Sequence, residues 1–239
     1  MRLVEDSPQR AEGEVRLPSG SGERFAGWGV MGLPFTSGHV LALRRFSASS
    51  IGPGYTTVWH RTPGGAWTMY TDELPEHTCP RYFSRAVART VATPIDIYWS
   101  SARTFRVTTH EGSVDWYVEI SRTVATRIMT AMGALMPARL WRSPAILSLM
   151  QPVAGRVLGV GRVGLHGRAP NGQWFAVNPR RLWVVADSHA TVNGEDVGVP
   201  GPLAEQASLG DFWIPQRGIV AVGEAVFEAG EGLEARSAG

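Results

Sequence analysis

The sequence predicts a mainly β protein: an antiparallel, hairpin-rich barrel, or two packed half-barrels, carrying a short broken α-helical insertion. Three observations predict it. Apolar and polar residues alternate with period two through most of the first half, as strands with one buried face require. Turn-forming dipeptides recur between the alternating runs. The period changes to helical spacing over residues 122–152.

Residues 1–23 are polar and rich in Glu, Ser, Gly and Pro, and residues 229–239 repeat that composition, so both ends are expected to be flexible tails around a single folded region, 24–228. Residues 38–47 and 54–62 read as strands. The second meets residues 66–72 through Thr62-Pro63-Gly64-Gly65, a hairpin signal. With Gly64-Gly65 as the turn, Tyr55, Thr57 and Trp59 share a face with Tyr70 and Asp72, while Val58 and His60 lie with Trp67 and Met69. After Pro94 a second ladder runs through Ile97, Trp99, Phe105, Val107, Trp116 and Val118. Its polar side carries Asp96, Tyr98, Arg106, Asp115, Tyr117 and Glu119. That polar side is read as solvated surface with cross-strand ion pairs; inside a barrel it would line a polar pocket.

In residues 122–152, Val124, Ile128, Met132 and Leu135 recur at helical spacing, and Pro137, Pro144 and Pro152 divide the region into short helices, with Ser143-Pro144 resembling a helix start. Strands are expected again at 157–168 and 173–178 around Pro170-Asn171-Gly172, then at 181–187 and 217–227, with a short helix within 201–209. Arg61-Thr-Pro-Gly-Gly-Ala-Trp67 is echoed by Arg168-Ala-Pro-Asn-Gly-Gln-Trp174. Either the chain holds two related halves, 24–121 and 153–228, joined by the helical segment, or the same turn chemistry arose twice.

Composition narrows the function. A 44% hydrophobic fraction and nine tryptophans supply a core. The single cysteine, Cys79, excludes an intrachain disulfide. No apolar stretch follows the first residues, and the longest apolar region, 145–161, is interrupted by Gln151, Pro152 and Arg156, so a cytoplasmic protein is expected. All 23 basic residues are arginine, which excludes Schiff-base, pyridoxal and phosphate-loop lysine chemistry. No acid lies between Glu119 and Asp187, a stretch that carries nine arginines.

Two Gly-x-Gly-x-x-Gly matches, Gly27–Gly32 and Gly159–Gly164, lack the strand-to-helix setting a dinucleotide loop needs and read as close backbone approaches or bulges within strands. Asp72, Glu73, Glu76, His77 and Cys79 form the densest group of potential ligands, without a second pair at metal spacing, so no metal or cofactor is expected. Hydrolase, zinc-protease and kinase motifs are absent.

The hairpin-rich plan resembles lipocalin-type, calycin-like barrels, although the Gly-x-Trp signature of that group is missing: Trp28 follows Ala26-Gly27. The likeness implies a cavity for an apolar small molecule of lipid, isoprenoid or polyketide-like type and transfers no residue role. Candidate lining residues are Tyr55, Trp59, Trp67, Met69, Trp99, Trp116 and Trp213. His60, Tyr70 and Asp72 are candidate acid–base groups for hydration, isomerisation or cyclisation of such a ligand. The alternative is a binding module acting through the basic amphipathic segment 122–162, with Arg122, Arg127, Arg139 and Arg142 facing an anionic membrane or an acidic partner. No nucleic-acid-binding module accompanies these arginines, so nucleic acid is not the expected partner.

Overall fold

Alternation becomes strand across the chain. The computed structural model describes residues 7–137 and 140–228, apart from the side chains of Glu111 and Arg142. The first strands are β1 (Glu23–Val30), β2 (Leu33–Pro34), β3 (Val40–Ser49), β4 (Tyr55–Arg61) and β5 (Trp67–Thr71). They continue through β6 (Arg89–Ala92), β7 (Ile95–Ser101), β8 (Thr104–Thr109), β9 (Val114–Ser121) and β10 (His166–Arg168). The last are β11 (Trp174–Val192), β12 (Glu195–Asp196), β13 (Ser208–Leu209), β14 (Phe212–Trp213) and β15 (Ile219–Glu228). The helices are α1 (Pro8–Glu12), α2 (Pro80–Phe83), α3 (Val124–Leu135) and α4 (Pro144–Leu158). None of the helices among the described residues is long and apolar enough to cross a membrane.

The protein is mainly β, as the alternation predicts. Ten strands of one sheet run in the order β6-β5-β4-β3-β1-β15-β11-β9-β8-β7, and β2, β10 and β12 pair onto it at β3 and β11. Neighbours are antiparallel except β5 and β6. The edges of the sheet, β6 and β7, are separated in sequence only by Thr93 and Pro94, which holds their ends within about 11 Å. The sheet therefore curls until its edges approach. One face joins side chains from all ten strands in a single buried core: Val91, Tyr70, Val58, Leu43, Trp28, Val222, Trp183, Trp116, Phe105 and Trp99 contribute one per strand. This is the barrel interior, and it is filled.

The sheet does not divide at the helical segment, because β9 pairs with β11 from Val184↔Ser121 to Val192↔Val114. Residues 24–121 and 153–228 are thus interleaved in one sheet. The repeated motif marks two identical turns: Arg61 pairs with Trp67 and Arg168 with Trp174. In each loop the glycine is left-handed, Gly65 at φ 92° and Gly172 at φ 94°.

Those five-residue loops correct the first hairpin. An extra left-handed residue shifts the pairing by one against a two-residue turn, and a one-residue shift exchanges the faces. Trp59 pairs with Met69 and Val58 with Tyr70. Tyr55, Thr57 and Trp59 therefore share the outer face with Trp67 and Met69, while His60 and Tyr70 point to the barrel side with Val58.

Three further expectations change. The N-terminal tail contributes α1, capped by Ser7 Oγ, and buries Ala11 in the barrel core. Glu12 accepts hydrogen bonds from Trp28 Nε1 and Arg45 Nε, both at 2.9 Å, so the segment plugs one end of the barrel. The strand expected at 157–168 is confined to β10, because α4 runs through Pro152 and ends at left-handed Gly159. Residues 201–209 form no helix; only Ser208–Leu209 is regular, as β13. Gly27 does sit at a close approach in a strand, where a Cβ would fall 2.0 Å from the Arg45 carbonyl oxygen, but the glycines of the second match are not in strands.

The polar side of the second ladder is exterior: Tyr98 is 70% exposed and Arg106 pairs with Asp115 across β8 and β9, while Phe105, Val107, Trp116 and Val118 are buried.

Candidate functional site

On the outer face the sheet is covered by α2, the β13–β14 hairpin, α3 and α4. Helix α3 is capped reciprocally by Thr123 and Thr126 and approaches β11 closely enough that a Cβ on Gly133 would lie 3.0 Å from the Pro179 carbonyl oxygen. Thr130 Oγ1 accepts from Leu182 N at 3.1 Å, fixing the helix to that strand. Between these coverings and the sheet lies a mainly apolar cavity of about 150 Å³. Its walls include Phe46, Tyr55, Trp59, Phe175 and Phe227 from the sheet side, Met129, Met150, Ala154 and Leu158 from the helices, and Phe212 and Trp213 from the hairpin.

Two charged residues line this space: Glu224, which is paired with Arg180, and Arg44, which is more deeply buried. Arg44 follows Val40 and Ala42 on the outer side of β3 and is 5% exposed. Its Nη1 donates to the carbonyls of Val30 at 2.6 Å and Leu43 at 2.8 Å, and Nη2 to that of Met31 at 3.2 Å. The guanidinium lies 4.6 Å from the Trp59 ring centre and 5.1 Å from that of Phe212. No described carboxylate pairs with it. Burial pushes its pKa down to about 10, which leaves it cationic at neutral pH.

Its neighbours are neutral. Cys79 accepts from Thr57 Oγ1 at 3.3 Å and meets Tyr55 OH at 3.6 Å. Burial pushes the Cys79 thiol up, against the opposing effect of those bonds, and burial followed by Cys79 pushes the Tyr55 phenol well up. Two other cavity residues carry buried polar atoms with no hydrogen-bond partner, Trp141 Nε1 and Asn178 Oδ1. Unmade hydrogen bonds of this kind each cost about 1–3 kcal/mol.

At the rim, Glu23 accepts from Tyr82 OH at 2.6 Å and from Arg81 Nη2 at 2.6 Å. Burial raises its pKa, but the bonds from Arg81, Tyr82 and Gln173 outweigh that and hold it below the usual carboxylate range.

Of the residues expected to line a ligand site, Tyr55, Trp59 and Trp213 are at the wall of this cavity. Trp67 and Met69 pack in the same outer core but do not reach the cavity, and Trp99 and Trp116 lie in or against the barrel core. His60, Tyr70 and Asp72 are not at the cavity either. His60 Nε2 contacts His39 Nδ1 at 2.8 Å in a stacked pair, and burial followed by His39 pushes its pKa down to about 4. Tyr70 belongs to the barrel core, where burial pushes its pKa up. Asp72 Oδ1 accepts from Thr56 N at 2.6 Å, closing the end of the hairpin. Sequence reasoning missed Arg44. Its signal was an arginine at an apolar position of a strand that is buried on both faces, Val40-Leu-Ala-Leu-Arg44.

No protein-family model matches the chain, and no curated protein matches it. Among solved structures, an acetoacetate decarboxylase from Legionella pneumophila is similar over 95% of each chain, at 10% identity and a TM-score of 0.38. A likeness at this level says nothing about what this chain binds.

Proposed function

We propose that the protein binds an apolar small molecule in the cavity between the outer face of the sheet and its helical cover. The observation that carries this reading is the cavity itself: apolar walls, one buried cation and two buried polar atoms without partners, the composition of a ligand site rather than of a closed core. Burial raises the pKa of Tyr55 and Cys79, which keeps both protonated at neutral pH, and among the described residues no carboxylate or histidine is hydrogen-bonded to either, which favours binding over proton transfer. Native mass spectrometry of freshly purified protein is expected to show a bound small molecule that leaves on denaturation. Its repeated absence, together with no thermal shift from a panel of small apolar compounds, would refute the reading.

A second reading concerns the cover. Among the described residues, eight of the thirteen exposed large apolar side chains lie between residues 124 and 157, including Val124, Ile128 and Leu135 on α3 and Leu149, Val153 and Val157 on α4. Each helix thus has an apolar outer side as well as an inner one. Arg127 and Arg156 are exposed there in an acid-free stretch, while Arg122 lies over the Trp183 ring; Arg139 and the side chain of Arg142 lie outside the described residues. Two copies meeting through this face would bring arginines together, so the occupant that fits is an anionic lipid surface. Sedimentation with phosphatidylglycerol vesicles should carry wild type down at low salt and release it at high salt. Arg127→Gln with Ile128→Ser and Leu135→Ser should abolish it. Equal sedimentation with neutral phosphatidylcholine would refute the reading.

A further inference from the structure

Arg44 is an expensive residue to bury. Removing a charge from water is unfavourable even after relaxation, and a protein normally offsets that with an opposite charge. Here three backbone carbonyls and two aromatic rings receive the guanidinium. They satisfy hydrogen bonds but supply no negative charge. Cys79 and Tyr55, the acidic groups nearest to it, are both held in their protonated forms. A guanidinium has five N–H donors, and the bonds described for Arg44 use three, all to backbone carbonyls. A guanidinium can receive a carboxylate through two parallel hydrogen bonds.

Volume limits the rest of the ligand. A cavity of about 150 Å³ matches the engineered apolar cavity of similar size that accommodates benzene. A long lipid chain would require α3 and α4 to move away.

Building on the small-molecule reading above, we propose that the ligand is a small carboxylic acid with an aromatic or short aliphatic body, its carboxylate set against the Arg44 guanidinium. The carboxylate supplies the missing countercharge, and the body fills the space walled by Phe175, Phe227, Met129 and Leu158. The site thereby selects for anion and for size at once: a neutral analogue leaves the cation uncompensated, and a long chain does not fit.

Isothermal titration of the full chain with phenylacetate and with 2-phenylethanol, two ligands of similar shape and different charge, tests this. Phenylacetate is expected to bind wild type at least tenfold more tightly, and Arg44→Met is expected to abolish or reverse the preference. The wild-type comparison stands even if that variant fails to fold. Equal or tighter binding of the alcohol would overturn the anion assignment while leaving the cavity reading intact. Binding of neither at millimolar concentration would overturn both. Palmitate binding tenfold more tightly than phenylacetate would overturn the size limit.

Discussion

The two faces of the sheet are built from similar aromatic and aliphatic residues and do opposite things. On the inner face, polar atoms are matched within the protein: Trp116 Nε1 donates to Ser188 Oγ, which donates to the Tyr117 carbonyl, and Trp28 Nε1 donates to Glu12. On the outer side, among the described residues, Trp141 Nε1 and Asn178 Oδ1 have no hydrogen-bond partner and Arg44 has no countercharge, around a space of about 150 Å³. Tryptophan content alone does not make a ligand site. What separates the faces is whether the polar groups among the aromatics are already satisfied.

The contrast can be broken by mutation. The largest effect is expected for Trp116→Ala, which deletes a fully buried inner side chain and should cost about 3–5 kcal/mol, measured by urea unfolding. A smaller effect separates the faces directly. Ala190→Leu overpacks the inner core and should cost about 1–3 kcal/mol. Ala221→Leu, at the cavity wall, should change stability by less than about 1 kcal/mol or raise it, by filling space, while abolishing phenylacetate binding. If both leucines destabilise equally, the faces do not differ as described.

A pH effect sharpens the comparison on the barrel side. His60 has its folded pKa at about 4, below the ordinary unfolded value of about 6.5. The unfolded chain therefore binds the proton first, and stability is expected to fall as pH drops from about 6.5 towards 4. His39, whose pKa burial also lowers, adds to the trend. His60→Gln should flatten the melting temperature across that window; an unchanged slope would remove the histidine pair from the account. The smallest effect concerns Cys79, which is 4% exposed with its thiol pushed up by burial. Iodoacetamide at neutral pH should label it only after denaturation, and rapid labelling of folded protein would mean that the cavity opens freely.

The inner face was legible because it obeys a local rule. Ile97, Trp99, Phe105, Val107, Trp116 and Val118 alternate, and alternation assigns a face without knowledge of the partner strand. The outer site was not legible for two reasons. The faces of Trp67, Met69 and Tyr70 depend on how many residues the 62–66 loop inserts, and one left-handed glycine reverses them. The cavity itself lies between β3, β11, β15, α3, α4 and the β13–β14 hairpin, elements far apart in sequence, so no local window holds its outline.

The mainly β class, the hairpins and the helical interruption follow from the residue pattern, since backbone period and turn chemistry act over a few residues. Which face is filled and which keeps a space depends on how the strands and helices come together in three dimensions. The same assembly makes the polar N-terminal segment a plug held through Glu12 and leaves Arg44 without a countercharge. The physical reason is that burial and charge compensation are properties of neighbours, and here the neighbours are brought together by the curl of the sheet.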